Sequence, residues 1–493
     1  MFLKLDTSGA LYDQVYRALR GQILKGRMAA GARVPATRDL ALELGVSRNV
    51  AIMAYRQLLD EGYLTARKGA GTFVARELPR QLTTVAIGRH RPTAARTSAP
   101  IHLSAYARRV REASGGVQFT WAPRRDALPY DFRYGPPSFT DFPHATWCRV
   151  MARRARRVTL RDLDYGPPEG LPALREVIAD YVARARAIAC APEQVLVVNG
   201  SQQALDLAAR VLVDPGDVVL MEEPHYRGAR TVMTAAGAKI ETIAVDEHGL
   251  HTAELARRRT SSRLAIVTPS HQFPTGAVMP LGRRLELLAW ARRAGATIFE
   301  DDYDSEYRYT GRPLEALAAL DDSGCVLYAA TFSKVMFPSL RLGYLIAPAR
   351  LIEPMRSTRA LMDTGGATLA QAALVDFIRE GHFERHLHRM RTRNARRRAA
   401  MLDAIHRHLG SRAEVSGVNA GLHLLLWLRD VPAACERELR MRAARAGVGV
   451  YSVAPFYLSP PRHVGLLLGY APLPEKQIAE GIRRFASVLN SLR

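Results

Sequence analysis

The chain has 493 residues, 48% of them hydrophobic and 24% charged, enough for two or three cores and without an apolar run that spans a bilayer. Its net charge of +23, carried mainly by arginine, favours polyanions, nucleic acid first, although an arginine-preferring genome gives the same excess. Cys148, Cys190, Cys325 and Cys435 are scattered without CxxC or Cys/His ligand spacing, which argues against a disulfide framework or structural zinc, and the N-terminus lacks a signal peptide's apolar core, so a cytoplasmic protein is expected.

Leu11, Val15, Leu19 and Ile23 recur at helical spacing, and Gly26 ends that pattern. Thr37 is placed to cap a short helix with Leu40, Ala41 and Leu44 facing inward. Gly45 supplies a tight turn. Ser47 caps a second helix running to about Glu61, with Val50, Ala54, Leu58 and Leu59 on its buried side. Short helix, turn and longer helix make a helix-turn-helix. A basic glycine turn, Arg67-Lys68-Gly69-Ala70-Gly71, then joins two short strands as a wing. Ser47, Arg48 and Asn49 start the second helix, where side chains reach major-groove edges, while Arg38 and Lys68 are placed for phosphates. The block resembles the winged helix of GntR-type bacterial regulators in its P-x-x-R-x-L-A segment, G-V-S-R, E-G-Y-L and K-G-x-G-T-F-V. That resemblance assigns operator contacts to Arg38, Ser47, Arg48, Asn49, Lys68 and Gly69. Ile52 stands where some members carry a further arginine, so base readout is expected to differ.

From 76 to 125 apolar periodicity fails, and Gly88 to Pro100 reads as an extended Arg/Pro/Ala-rich linker. Leu103, Tyr106, Phe119 and Trp121 mark its later part as able to dock on the next domain. The expected domains are 1–75, a linker 76–125, and 126–493, the last split into a large subdomain of about 160–350 and a small one of about 351–493.

Beyond 126, short apolar stretches at 195–198, 218–221, 240–245, 264–268, 297–299 and 326–329 alternate with helical patterns, which predicts an α/β fold on a mainly parallel sheet. Ligands of such sheets sit at the strands' C-terminal ends. Five polar segments fall there: Gly200-Ser201-Gln202 opening a helix, Tyr226 after Glu222-Glu223-Pro224-His225, the turn Thr268 to Gly276, the acidic loop Glu300 to Glu306, and Thr331-Phe332-Ser333-Lys334 with Arg341. A helix start offers N–H groups to an anion, Arg341 can grip a phosphate bidentately, and a buried lysine is a nucleophile towards aldehydes. A metal at the acidic loop lacks a second ligand cluster, whereas one aspartate is suited to a protonated ring nitrogen. Together these groups describe a pyridoxal phosphate site.

This half resembles fold-type I pyridoxal-phosphate enzymes of the aspartate aminotransferase class. The resemblance makes Lys334 the Schiff-base lysine, pairs Asp301 with the pyridinium nitrogen, and brings Tyr303 to the ring's phenolic oxygen. It makes Tyr226 the stacking aromatic and Ser201, Gln202, Thr331, Ser333 and Arg341 the phosphate cup. Tyr165 matches a tyrosine lent to the neighbouring subunit. Two positions depart from the pattern. N-P-T-G reads Phe273-Pro274-Thr275-Gly276, with His271 or Gln272 as replacements for the asparagine, and Leu467 stands where an arginine holds a substrate's α-carboxylate. The whole chain resembles the MocR subfamily of GntR regulators. That implies a head-to-tail homodimer with each winged helix over its partner's large domain. It also implies a cytoplasmic, nucleoid-associated transcription regulator sensing pyridoxal phosphate or its adduct with an amine or amino-acid effector. The alternative is a working aminotransferase with an accessory DNA-binding domain.

Overall fold

A computed structural model of the chain describes residues 5–6, 8–67, 69–76, 101–114, 128–257, 262–311 and 315–492. These form two compact units, Met1–Ile101 and His102–Arg493. Among the described residues no helix is long and apolar enough to cross a membrane.

In the first unit α1 (Leu11–Leu24), α2 (Thr37–Leu44) and α3 (Arg48–Asp60) enclose a core of Val15, Leu19, Ile23, Leu40, Ala51, Ala54, Tyr55 and Leu58. Leu11 begins α1 but is 51% exposed, because the buried stripe starts one turn later. Thr37 is the first helical residue rather than the cap. Ala36 holds the cap position, and no side chain bonds there. Gly45 takes φ 65°, the left-handed conformation that lets the chain turn sharply between α2 and α3. The wing is β1 (Leu64–Arg67) paired antiparallel with β2 (Gly71–Val74).

The second unit begins with α4 (Ala105–Ser114), inside the segment expected to be a linker. It packs on α8, but not through the apolar residues named from the sequence: Leu103 and Tyr106 stay exposed, and Phe119 and Trp121 lie outside the described residues. Arg109 makes the junction, its Nε donating to the Ala235 carbonyl at 2.9 Å. Next in order come β3 (Tyr130–Asp131), α5 (His144–Ala155), α6 (Pro172–Arg186), β4 (Val195–Val198), α7 (Ser201–Leu212), β5 (Val218–Glu223), α8 (Arg227–Ala236), β6 (Lys239–Asp246), β7 (Gly249–Leu250), β8 (Ser262–Val267), α9 (Leu281–Ala294), β9 (Thr297–Asp302), α10 (Leu317–Leu320), β10 (Val326–Thr331) and β11 (Gly343–Ile346).

All of these strands except β3 form one eight-stranded sheet in the order β4-β11-β10-β9-β8-β5-β6-β7. Strands β10, β9, β8, β5 and β6 run parallel, while β11 runs antiparallel to β10 and β4. The sequence pattern supplied six of the eight strands. It missed the two-residue β7 and also β11, whose Gly343-Tyr344-Leu345-Ile346 follows the lysine loop with no punctuation of its own. Burial on both faces explains the continuous apolar runs, such as the wholly buried Val195–Val198.

The chain continues through α11 (Ala349–Asp363), α12 (Thr368–Arg379) and α13 (His382–Leu409) to β12 (Ala413–Ser416), β13 (His423–Pro432), α14 (Glu436–Arg445), β14 (Val448–Gly449), β15 (Tyr451–Ser452), β16 (His463–Gly469) and α15 (Glu475–Asn490). A four-stranded sheet, β12-β13-β16-β15, packs on α13 and α15. Phe383, Leu387 and Met390 of α13 join the core of the large sheet, whereas Met401, Ile405 and Leu409 join that of the small one. One long helix therefore belongs to both cores, and core packing changes hands within α13 rather than near 351. The small core also recruits Phe132, because β3 pairs with β14.

Candidate functional site

The site assembles where β4, β5, β8, β9 and β10 end. Lys334 lies in the tight turn after β10, where Met336 N donates to Phe332 O at 2.8 Å and Tyr307 OH donates to the Lys334 carbonyl at 3.3 Å. Lys334 as a whole is half-buried. Desolvation lowers its pKa from the usual lysine range, and the carboxylates of Asp304 and Asp301 oppose that shift.

The acidic segment is part of a strand. Glu300, Asp301 and Asp302 are the last residues of β9, all buried, so they alternate between the two faces of the sheet. Glu300 accepts from Leu317 N at 2.9 Å and Ala318 N at 3.0 Å, capping α10. Asp302 pairs with Arg186 Nη2 at 2.7 Å and accepts from Tyr328 OH at 2.6 Å and Ser305 Oγ at 2.9 Å. Asp304 sits against His271, and Glu306 accepts from Tyr181 OH at 3.2 Å. Among these five acids only Asp301 retains a buried oxygen, Oδ1, without a hydrogen-bond partner. Asp302 is thus occupied by Arg186, Tyr328 and Ser305, while Asp301 keeps an open oxygen. Burial pushes the Asp301 carboxyl up to about 7; Asp302 and Asp304 add to the rise, while the Ser201 hydroxyl and Lys334 pull it back. Ser201 lies close enough for that effect without making a hydrogen bond of normal geometry, since its Oγ is itself buried and unpartnered.

At the other end of this space, Gly200 (φ 85°) leads into α7. A Cβ at Gly200 would stand 3.7 Å from both Thr331 Oγ1 and Arg341 Nη1, which places those groups beside the first turn of α7. Helix starts leave backbone N–H groups unpaired. Arg341, exposed, holds φ 53° after a short 3-10 turn and donates to the Asn199 carbonyl. Ser333 N donates to Thr331 Oγ1 at 3.1 Å. The set is rich in donors, free of carboxylates and partly cationic, which fits a phosphate. With an unpartnered carboxylate opposite, the residues present fit pyridoxal phosphate.

The half-buried Tyr226 forms the wall between, its OH donating to Gln202 Oε1 at 3.3 Å. Gly228 allows that position, because a Cβ there would lie 2.4 Å from the Tyr226 ring. Burial raises the Tyr226 phenol to about 12. Tyr303 OH meets His271 Nδ1 at 3.0 Å, and both Asp304 oxygens stand 3.1 Å from the same nitrogen. His271 is thereby oriented, with its buried Nε2 unpartnered. Gln272, the other replacement suggested for the missing asparagine, is consumed structurally. Its amide donates to Glu222, Pro224 O and Phe273 O, and its oxygen accepts from Thr275 N at 3.1 Å and Thr275 Oγ1 at 2.7 Å. Tyr165 is 86% exposed, on a loop packed against α12 through Gly166 and Thr368.

Phe273 stands at the centre of the remaining wall. Its ring lies 6.0 Å from Tyr226, 5.9 Å from Tyr303, 5.6 Å from His423 and 4.9 Å from Phe456. Leu467, fully buried on β16 opposite Leu425 and Tyr451, packs in the same cluster with Val453 and Phe456. The segment around Phe456 is tied to the start of α8: His225 N donates to Phe456 O at 3.0 Å, Arg230 Nη2 to Pro455 O at 3.3 Å, and Leu458 N to Glu223 Oε1 at 2.6 Å.

On α3, Ser47 Oγ accepts from Val50 N at 3.4 Å as the cap, and Arg48 and Asn49 are exposed on the first turn. Arg38 is exposed on α2. Gly69 takes φ +79° in the wing with open space around it, so backbone conformation rather than room explains the glycine. Lys68 lies outside the described residues.

Residues 11–74 match the gntR family of bacterial regulatory proteins, and residues 143–484 match aminotransferase class I and II. The probable rhizopine catabolism regulatory protein MocR of Rhizobium meliloti is 40% identical over 100% of this chain and 96% of its own. The chain belongs to the MocR subfamily of GntR regulators. Another relative, the HTH-type transcriptional regulator TauR of Rhodobacter capsulatus, is 33% identical over 99% of this chain and 98% of its own. The α-aminoadipate aminotransferase LysN of Thermus thermophilus, solved with N-(5'-phosphopyridoxyl)-L-leucine, superposes with a TM-score of 0.70 at 28% identity over 79% of this chain and 97% of that one.

Within this MocR-type chain, sequence reasoning missed Arg186, Tyr328, Asp304 and Phe273. No local motif marks the first two, which meet Asp302 from α6 and β10. Asp304 and Phe273 were visible within quoted motifs, but only the packing gave them partners.

Proposed function

We propose that this chain is a cytoplasmic, nucleoid-associated transcription regulator that holds pyridoxal phosphate and changes its grip on operator DNA when the cofactor, or an amine or amino acid joined to it, fills the site. The observation that carries the reading is Asp301, the acid left with an unpartnered buried oxygen on a strand whose other acids are bound. When bound, the cofactor supplies an aldehyde that reacts with amines. Asp301 offers its carboxylate to a protonated ring nitrogen, and Tyr226 offers a ring face. Ser201, Thr331, Ser333, Arg341 and the start of α7 donate to the phosphate, with Gln202 at their edge. Burial favours the neutral, nucleophilic form of Lys334. Tyr303 and His271 orient each other on the remaining side.

Regulation rather than turnover is supported by Leu467. It packs with Leu425, Val453 and Phe456, and a leucine at this position supplies no charge to a carboxylate. A route to the DNA-binding unit is supported by α8. Tyr226 occupies its N-cap position, Arg230 beside that start holds the Phe456 segment, and Arg109 holds the Ala235 carbonyl near its end. Arg109 belongs to α4, the first helix of the second unit. A guanidinium at a helix C-terminus is favoured both by the unpaired carbonyls and by the helix dipole. The exposed Leu160, Leu163, Tyr165 and Leu361, at 86%, 73%, 86% and 90%, support a head-to-tail homodimer in which Tyr165 serves the partner's phosphate.

The test is binding of the full-length protein to its own upstream DNA with pyridoxal phosphate, with candidate amines, and with neither. A ligand-dependent change in affinity is expected. Unchanged affinity together with steady transamination of an amino acid and a keto acid would establish the enzyme reading instead.

A further inference from the structure

Helix α3 has two faces of different origin. Ala51, Ala54, Tyr55 and Leu58 turn inward and complete the core of the first unit. Arg48, Asn49, Ile52, Met53 and Arg56 are exposed. Positions 49, 52, 53 and 56 follow the three- and four-residue spacing that puts side chains on one stripe. That stripe is polar at one end, basic at the other and apolar between, with Ile52 40% and Met53 51% exposed. Single exposed apolar residues need no explanation, but two neighbours between Asn49 and Arg56 on the helix that carries the DNA-reading residues form a defined surface. The core does not require them, since it is closed from the opposite face.

The apolar group that base edges display in the major groove is the C5-methyl of thymine. The positive flanks, Arg48 and Arg56, and the N-terminus of α3 suit a phosphate-lined groove rather than an apolar protein surface. We propose that Ile52 and Met53 pack on thymine methyl groups, so that each operator half-site carries thymine beneath the middle of α3. Residues 52 and 53 lie three and four positions beyond Asn49, about 4.5–6 Å along the helix. Base pairs rise about 3.4 Å each, so the thymine falls one to two steps from the pair that Asn49 reads. This inference rests on the DNA-binding reading of the first unit and adds to it the base chemistry being read.

The experiment uses the full-length protein and its footprint on the upstream region, or, if that region gives none, a site selected from random duplexes. Each thymine of the site is replaced in turn by deoxyuridine, which removes one methyl and leaves pairing intact. Wild-type protein is expected to bind about fourfold more weakly at one or two particular positions, the scale of one buried methyl group. Ile52→Ala or Met53→Ala should bind the thymine and uracil duplexes equally at the position it contacts, and Ile52→Val should keep part of the discrimination. Both side chains are exposed, and an unchanged melting temperature confirms that each variant folds. The inference is overturned if no deoxyuridine weakens wild type, or if the deoxyuridine penalty is as large in both alanine variants as in wild type. It is also overturned if those variants bind every duplex as wild type does but lose self-association, which would make the stripe a protein contact. A wild-type protein that selects no duplex overturns the DNA-binding reading itself.

Discussion

The two ends of the candidate site differ in kind. Around Gly200 the chain presents a helix start, two hydroxyls and Arg341, all donors. Around Leu467 it presents leucine, valine and aromatic rings packed as a core. The first arrangement suits an anion; the second does not, because an apolar side chain at Leu467 gives a carboxylate nothing to replace the hydration it would lose. The difference teaches that holding a phosphorylated ring and holding a substrate carboxylate are separable tasks. The same sheet ends keep Asp301 and Lys334 for the first task while the neighbouring strand β16 is given over to packing.

The largest effect is expected from Lys334→Ala, which should abolish the visible absorbance that pyridoxal phosphate gives with the wild-type protein and the ligand response on DNA. An unaltered response would break the assignment of the donor-lined end. Leu467→Arg should cost about 4 kcal/mol or more in chemical denaturation, since a guanidinium would be buried without an anion. A stable variant that turns over α-amino acids would show that the apolar wall alone separates this chain from an enzyme.

Asp301 and Asp302 should part company. Asp302→Asn weakens the partner of buried Arg186 and should lower stability by about 3 kcal/mol. Asp301→Asn should leave the cofactor-free protein folded while weakening pyridoxal phosphate binding, read by absorbance titration. The Asp301 carboxyl stands at about 7 in the fold against an ordinary 3.8, so the folded state holds its proton more tightly. Its contribution to cofactor-free stability is therefore full below about pH 4 and is lost as pH rises through about 7. Melting temperature measured from pH 4 to 8 should fall less steeply in Asp301→Asn than in wild type. Glu222, Glu300 and Glu306, also raised by burial to about 7, leave the variant a residual slope. The smallest effect is expected from Arg109→Ala, about 1 kcal/mol for one charged hydrogen bond at the end of α8. Cofactor absorbance should survive while the DNA response to ligand shrinks. Full retention of the response would sever α8 from the route to the linker.

Much of this was legible along the chain because it is local. Alternating apolar runs placed most strands of the large sheet, and Ser47 and Gly45 announced the recognition helix by capping and turn chemistry that act over three or four residues. Lys334, Ser201 and Tyr226 stood out because each follows a strand. Period-two alternation in β9 already put Asp301 and Asp302 on opposite faces, once the strand was extended past Phe299.

What the sequence by itself determined, then, is the pair of domain types and the polar groups at the strand ends, since propensity, capping and alternation are encoded between neighbours. Only the tertiary structure decided which acid is free, because Arg186 arrives from α6 and Tyr328 from β10 to occupy Asp302. It also decided that Gln272 is spent on Glu222, that Phe273 closes the site against Phe456, and that Arg109 joins α4 to α8. Each of these is a contact between residues far apart in the chain, and a buried polar group reveals its role only through the partner that satisfies it or the lack of one.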